Sequence, residues 1–276
     1  MPARSVIRVF QGIPTSDGAG VKLERVIGQP LVPDLDPFLL FDAFGSDDPG
    51  AYIAGFPDHP HRGFETVTYM LEGRMRHRDS RGNEGLLTAG SVQWMTAGSG
   101  LLHSEMPEQE EGRMAGFQLW VNLPAKDKMT APRYQDIAPD QVPVVDLGQG
   151  VTAKLLAGTL NGVTGPVDTG ATQPLYADLS FTAGGRAVIP LTAGHNAFAY
   201  VFEGAATLGG TALPRGSIAV LGDGDEVIVE AAAHARVLVV AGKPLREPVA
   251  RYGPFVMNTK AEIEQAFADF QAGLFG

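Results

Sequence analysis

The chain has 276 residues, and 31 acidic against 21 basic side chains leave it a formal charge of −10, which argues against sequence-independent nucleic-acid affinity because that affinity needs basic patches to neutralise phosphates. It contains no cysteine, so disulfides, thiolate-bound zinc and iron–sulfur clusters are excluded. With 44% hydrophobic residues, 35 glycines and 20 prolines, it has the composition of a turn-rich β protein able to bury a core of normal size.

Residues 5–10 and 20–27 read as short strands on either side of Pro14-Thr15-Ser16-Asp17-Gly18, a turn cluster. Residues 38–44 form an apolar run of core character. Residues 66–71 alternate as a strand ending at Glu72-Gly73, residues 74–78 continue into a polar loop at 79–85, and Gly90-Ser91 turns into a strand at 92–95. Strands joined by short Gly-rich turns predict an all-β barrel or sandwich. Between Arg76 and Arg78, His77 reads as a solvated strand residue. Residues 125–143, rich in Lys, Asp and Pro, read as a linker or partly helical connection, and 158–174 as loop. Thr259-Lys260-Ala261-Glu262 is a capping box, and Ile263, Phe267 and Phe270 follow at helical spacing, predicting a short terminal helix packed on a barrel face. Residues 1–8 carry no signal-like apolar run and no stretch reaches membrane-spanning length, so a cytoplasmic location without membrane association is expected.

The second half repeats the first. Tyr69-Met70-Leu71-Glu72-Gly73 is echoed by Tyr200-Val201-Phe202-Glu203-Gly204, and Gly90-Ser91-Val92 by Gly216-Ser217-Ile218, which implies two similar barrels. The expected division is 1–135 and 136–276, the second part ending in the helix.

Residues 56–105 hold four of the six histidines. Side chains alternate along a strand, so His59 and His61 share a face, as do His103 and Glu105. Antiparallel pairing of two such segments gathers three imidazoles and a carboxylate around one point, for which a divalent transition metal is the simplest occupant. Taken alone, the Asp58-His59-Pro60-His61 run also suits a turn. Shifted by the repeat interval, the histidine positions fall on Pro190, Thr192 and Val229, which cannot ligate, so one metal site is expected; His195 and His234 read as ordinary structural or surface residues.

Phe56-Pro57-Asp58-His59-Pro60-His61-Arg62-Gly63-Phe64-Glu65-Thr66-Val67, Gln93-Trp94-Met95-Thr96-Ala97-Gly98, His103-Ser104-Glu105-Met106-Pro107, Gln118-Leu119-Trp120-Val121-Asn122-Leu123 and Gly253-Pro254-Phe255-Val256-Met257-Asn258-Thr259 resemble the signatures of the pirins, a branch of the cupin superfamily. The resemblance spans nearly the whole chain. It implies a bicupin, two cupin-type β-barrels with one metal in the N-terminal barrel, held by His59, His61, His103 and Glu105. The general cupin pattern His-x-His-x-x-x-Glu would instead select Glu65, which is expected to orient a ligand imidazole or to pair with an arginine.

The activity the resemblance implies is quercetin 2,3-dioxygenase: opening of a flavonol by dioxygen with release of carbon monoxide. The cofactor expected is one divalent metal, Fe(II) first, with Zn, Mn, Ni and Cu compatible with the same N/O donors. Glu105 is the expected catalytic proton acceptor, the 38–44 run is expected near the metal mouth, and Phe56, Trp94 and Met95 are candidate apolar walls. The partners implied are then a small aromatic substrate and dioxygen. The other role the resemblance implies is a metal-binding regulator of transcription factors or metabolic enzymes that acts through protein partners, without direct nucleic-acid contact.

Overall fold

The computed structural model describes residues 2–275. It divides into two compact units, each built from antiparallel strands. The first-half unit has a seven-stranded sheet in the spatial order Arg133–Ile137, Val92–Thr96, Phe64–Glu72, Met114–Asn122, Phe38–Ser46, Val21–Ile27, Ile13–Asp17, and a four-stranded sheet in the order Phe56–His61, Leu101–Pro107, Met75–Asp79, Glu84–Leu87. In the other unit the seven-stranded order is Val6–Gln11, Ser217–Leu221, Asn196–Glu203, Ala235–Gly242, Leu175–Phe181, Val151–Ala157, Val144–Gly148, and the four-stranded order is Gly185–Pro190, Glu226–Ala231, Ala205–Leu208, Thr211–Pro214. The two match position by position, and the repeated Tyr-to-Gly segments occupy the third strand of each large sheet. Two cupin-type barrels and one terminal helix are the architecture expected.

Inward-facing residues of both sheets fill each core. Leu155, Leu179, Val201 and Val239 of the large sheet meet Ile189, Leu208, Val227 and Val229 of the small one. In the other unit Val21, Met70 and Met114 meet Met75 and Leu87. Strand alternation supplies these faces, because every second side chain points at the opposing sheet.

The units are not two consecutive pieces of chain. The segment ending at Gly12 groups with Asp140–Pro244, and the segment from Leu245 onward groups with Phe38–Pro139. Val6–Gln11 therefore holds the edge place, beside Ser217–Leu221, that Arg133–Ile137 holds beside Val92–Thr96 in the first-half unit. The terminal helix, Lys260–Gln271, packs in the first-half unit rather than ending the second barrel. Phe255, Met257, Ile263, Ala266 and Phe275 form its apolar contact. Its capping box is present, Glu262 N donating to Thr259 Oγ1 (3.2 Å) and Thr259 N to Glu262 Oε2 (2.8 Å). Ile263 is buried, whereas Phe270 stays 37% exposed.

Local differences from the sequence reading have physical reasons. Most of the 14–18 turn cluster is the edge strand Ile13–Asp17, where a proline's missing donor is tolerated. The turn falls just after it, with Gly18 N donating to Asp17 Oδ1 at 2.8 Å. The 125–143 connection includes Arg133–Ile137, a sheet strand. The 158–174 loop contains a small ladder of Thr159–Leu160 with Val163–Thr164.

Candidate metal centre

Phe56–His61 pairs with Leu101–Pro107 so that His103 lies opposite His59 and Leu101 opposite His61. A register shift between His103 and Glu105 puts Glu105 opposite Phe56. Three imidazoles thus converge. Ring centroids are 4.7 Å apart for His59 and His61, 4.4 Å for His59 and His103, and 5.0 Å for His61 and His103. Each ring offers one nitrogen such that all three lie within 4.8 Å of one another.

Hydrogen bonding and burial leave these rings suited to a cation. His59 Nδ1 donates to the Pro57 carbonyl at 2.8 Å, which frees the other ring nitrogen. His61 Nδ1 and both nitrogens of His103 are buried without a hydrogen-bond partner, an arrangement that costs free energy unless something else meets those ring nitrogens. Burial, with repulsion from His59, pushes the His61 pKa well down, and burial with repulsion from His61, His59 and His77 does the same to His103. Both rings are therefore neutral, the form in which imidazole ligates. The donor set fits a divalent transition metal.

Glu105 stands two residues along the same strand and is 2% exposed. It lies outside the three-imidazole cluster. Thr68 Oγ1 donates to its Oε1 at 3.0 Å and Gln118 Nε2 to its Oε2 at 2.9 Å. Glu65 is also buried, and its Oε1 accepts from Thr96 Oγ1 at 2.7 Å.

A cavity of about 570 Å³ opens beside His59 and His61. Phe56 lines it as expected. Leu40, Asp42 and Phe44 bring the 38–44 run to it, and Gln118, Trp120, Arg25, Met75 and Arg251 complete much of the wall. Trp94 and Met95 are absent from that lining and are fully buried, because the strand Val92–Thr96 lies between two neighbours and is buried along its whole length. Trp120 takes the aromatic place, with its ring edge-on to His61 at 5.2 Å and its Nε1 donating to Gln118 Oε1 at 3.1 Å.

His77 is not solvated but 1% exposed. It lies opposite Glu105 across the sheet, donates from Nε2 to Asp136 Oδ2 at 3.0 Å, and stacks on Tyr134 at 5.3 Å. The signal was alternation: Met75 and His77 point inward while Arg76 and Arg78 point outward. In the other unit the same register sets Ala187 opposite Val229 and Ile189 opposite Val227. Buried apolar side chains thus fill the positions where the first barrel has histidines, with Ala187 and Ile189 there rather than Pro190 and Thr192.

Residues 20–121 match the family model described as Pirin, and residues 176–276 that described as Pirin C-terminal cupin domain. The chain is 52% identical over 276 residues to a pirin-like protein of Caulobacter vibrioides, covering 100% of each. It is 44% identical over 263 residues to the pirin of Homo sapiens, covering 93% of this chain and 88% of that one. A crystal structure of a quercetin 2,3-dioxygenase from Acinetobacter baumannii superposes with a TM-score of 0.93 at 35% identity, over 100% of this chain and 99% of the other.

Proposed function

The chain belongs to the pirin family, and from that premise we propose that it is a metal-dependent dioxygenase that opens a flavonol such as quercetin with dioxygen. The observation that supports this reading is the cluster of three imidazoles, those of His61 and His103 buried and neutral, beside a cavity of about 570 Å³, within the size range of small-molecule sites. In this reading His59, His61, His103 and Glu105 hold one divalent ion, Fe(II) first. Such an ion supplies Lewis acidity that favours the deprotonated 3-hydroxyl of a flavonol, and a redox centre for dioxygen chemistry.

The chain's own residues do the rest. Trp120 and Phe56 offer apolar surface to a flat ring system. Glu105 takes the proton of the 3-hydroxyl. The hydrogen bonds from Thr68 and Gln118 fix its carboxylate orientation, which limits the reorganisation that proton transfer requires. Gln118 also lines the cavity, so the wall that meets the substrate is the one that holds the carboxylate. The Pro57 carbonyl fixes the His59 ring in the same way.

The test is metal analysis of the purified protein coupled to quercetin turnover under air, with His103→Ala and Glu105→Gln. His103→Ala is expected to lose metal and activity together, and Glu105→Gln to lower turnover by roughly 100-fold or more, the scale of positioned acid–base groups. Metal retained by the unaltered protein without turnover of quercetin would move the function to another substrate or to a protein partner. Absence of metal after reconstitution would overturn the reading.

A further inference from the structure

We propose that Gln118 is the specificity-determining residue of this cavity and selects an uncharged aromatic substrate whose hydroxyl stands next to a ring carbonyl. The inference deepens the reading above and rests on it, since it takes the cavity beside His59 and His61 as the substrate site.

The charges of the wall meet one another. Arg25 donates from Nε to Asp42 Oδ1 at 2.9 Å and from Nη2 to Asp42 Oδ2 at 2.7 Å, and it reaches Asp17 Oδ2 at 2.8 Å. Arg251 is exposed, and Asp42, Asp34 and Asp17 offset its charge. With Asp58 the lining sets three aspartates against two arginines, so no cation is left over to attract an anionic ligand. Recognition of an uncharged ligand then falls to neutral hydrogen-bonding groups.

Gln118 is placed to supply one. Every other residue of Met114–Asn122 is buried, whereas Gln118 is partly exposed and opens onto the cavity. Its amide orientation is fixed. An indole N–H only donates, so the atom that accepts from Trp120 Nε1 at 3.1 Å is the amide oxygen, and the amide nitrogen is the atom 2.9 Å from Glu105 Oε2. That nitrogen carries a second N–H, which has no partner among the described residues. The fold itself does not call for an amide here. Thr68 lies opposite Gln118, while Ala199, which like Thr68 precedes the repeated tyrosine, lies opposite Val239 in an apolar core.

Two hydrogens on one amide nitrogen bring two oxygens close together. The first holds Glu105, the group that takes the proton of the substrate hydroxyl, so the second meets an acceptor on the neighbouring ring carbon. A carbonyl elsewhere on the ring system stays out of reach. A ligand without the adjacent carbonyl leaves this N–H covered and unpaired, which costs affinity.

The probes are 3-hydroxyflavone and its isomer 6-hydroxyflavone, which has the same atoms but carries the hydroxyl away from the carbonyl. Each is titrated into metal-loaded protein in the absence of dioxygen, with metal content measured in every sample. The unaltered chain is expected to prefer the 3-isomer, and Gln118→Met to reduce that preference by roughly 3- to 10-fold at unchanged metal content, the range of one neutral hydrogen bond. Thr68→Val removes the other hydrogen bond to Glu105 from a side chain outside the lining, and it is expected to keep the preference. An undiminished preference in Gln118→Met would put the carbonyl on the metal instead and overturn the assignment, as would the absence of a preference in the unaltered chain. Equal loss in Thr68→Val would overturn it too, by reducing Gln118 to a support of Glu105. If Gln118→Met binds neither isomer, a crystal structure of the unaltered chain with 3-hydroxyflavone decides. Gln118 Nε2 within hydrogen-bond distance of the ring carbonyl supports the assignment, and a carbonyl turned away overturns it. Binding is read without dioxygen, so failure of quercetin turnover leaves this outcome readable by itself.

Discussion

Lys128 is 1% exposed, and its ammonium group donates to Gly63 O at 2.7 Å, Asn122 Oδ1 at 2.7 Å and Val256 O at 2.9 Å. Three donors meet three acceptors, and the residue ties the chain just past the histidine pair to the returning C-terminal segment. Gly63 permits the approach: at φ +85 a Cβ there would stand 2.0 Å from the Val256 carbonyl. Burial pushes the Lys128 pKa down to about 8, against the pull of Glu247 and Glu262. Its unfolded value is about 10.4. Between those values the unfolded chain binds a proton here that the folded chain does not, so the contribution of Lys128 to stability rises with pH from about 8 to about 10.4 and is lost as pH falls through 8. Lys128→Met leaves three acceptors unmet and is expected to cost on the order of 2–4 kcal/mol in denaturant unfolding at pH 7. The gap between the two proteins should widen from pH 8 to pH 10. A gap that narrows over that range would contradict the sign. At the site itself, His59, His61 and His103 were legible from strand alternation, as was their convergence. Gln118, Trp120 and Arg251 as cavity wall were not, because which face of a strand borders empty space depends on what packs opposite.

The strand Phe56–His61 carries two of the proposed ligands, and the terminal helix braces its end. Arg62, next after His61, donates from Nη1 to Asp269 Oδ2 at 2.6 Å and from Nε to Ser99 O at 2.7 Å, and its guanidinium lies 4.5 Å from the Phe275 ring centroid. Arg62 is 4% exposed, so removing Asp269 leaves a buried cation short of its carboxylate. Asp269→Ala is expected to speed metal loss to a chelator by roughly 10-fold, the scale on which outer partners of metal ligands act. Unchanged metal release with a merely lowered melting temperature would confine the helix to a structural role. The helix itself was legible from its capping box and spacing. Arg133–Ile137 was not. Its neighbours are the charged and Pro-rich residues of a connection, and only pairing with Val92–Thr96 makes it a strand.

In the whole molecule the chain's two ends change places. The segment before Gly12 completes the sheet of the second barrel, while the segment after Leu245 folds onto the first. Arg4 fastens the early segment by donating to Gly224 O at 2.9 Å, His195 O at 2.6 Å and Thr192 O at 2.9 Å. Removal of residues up to Gly12 exposes the edge of Ser217–Leu221 and takes the Arg4 hydrogen bonds from those carbonyls, of which Thr192 O keeps only the one from His195 N. The truncated protein is expected to melt at lower temperature yet keep its metal stoichiometry, because all four proposed ligands lie in the other unit. Loss of metal in step with stability would show the barrels to be one cooperative body. By itself the sequence determined the all-β character, the repeat, the capped terminal helix and the convergence of the three histidines. The strands, the helix and the shared faces of the histidine pairs are written in short-range periodicity, two residues for a strand and three to four for a helix, and the repeat in segments echoed along the chain. Tertiary structure alone decided which barrel each terminus completes, which buried side chains stay polar, and which faces border a cavity. Those depend on partners far apart in the sequence, 59 residues for His77 and Asp136 and 220 for Arg4 and Gly224, and local alternation states only that a face is covered, not by what.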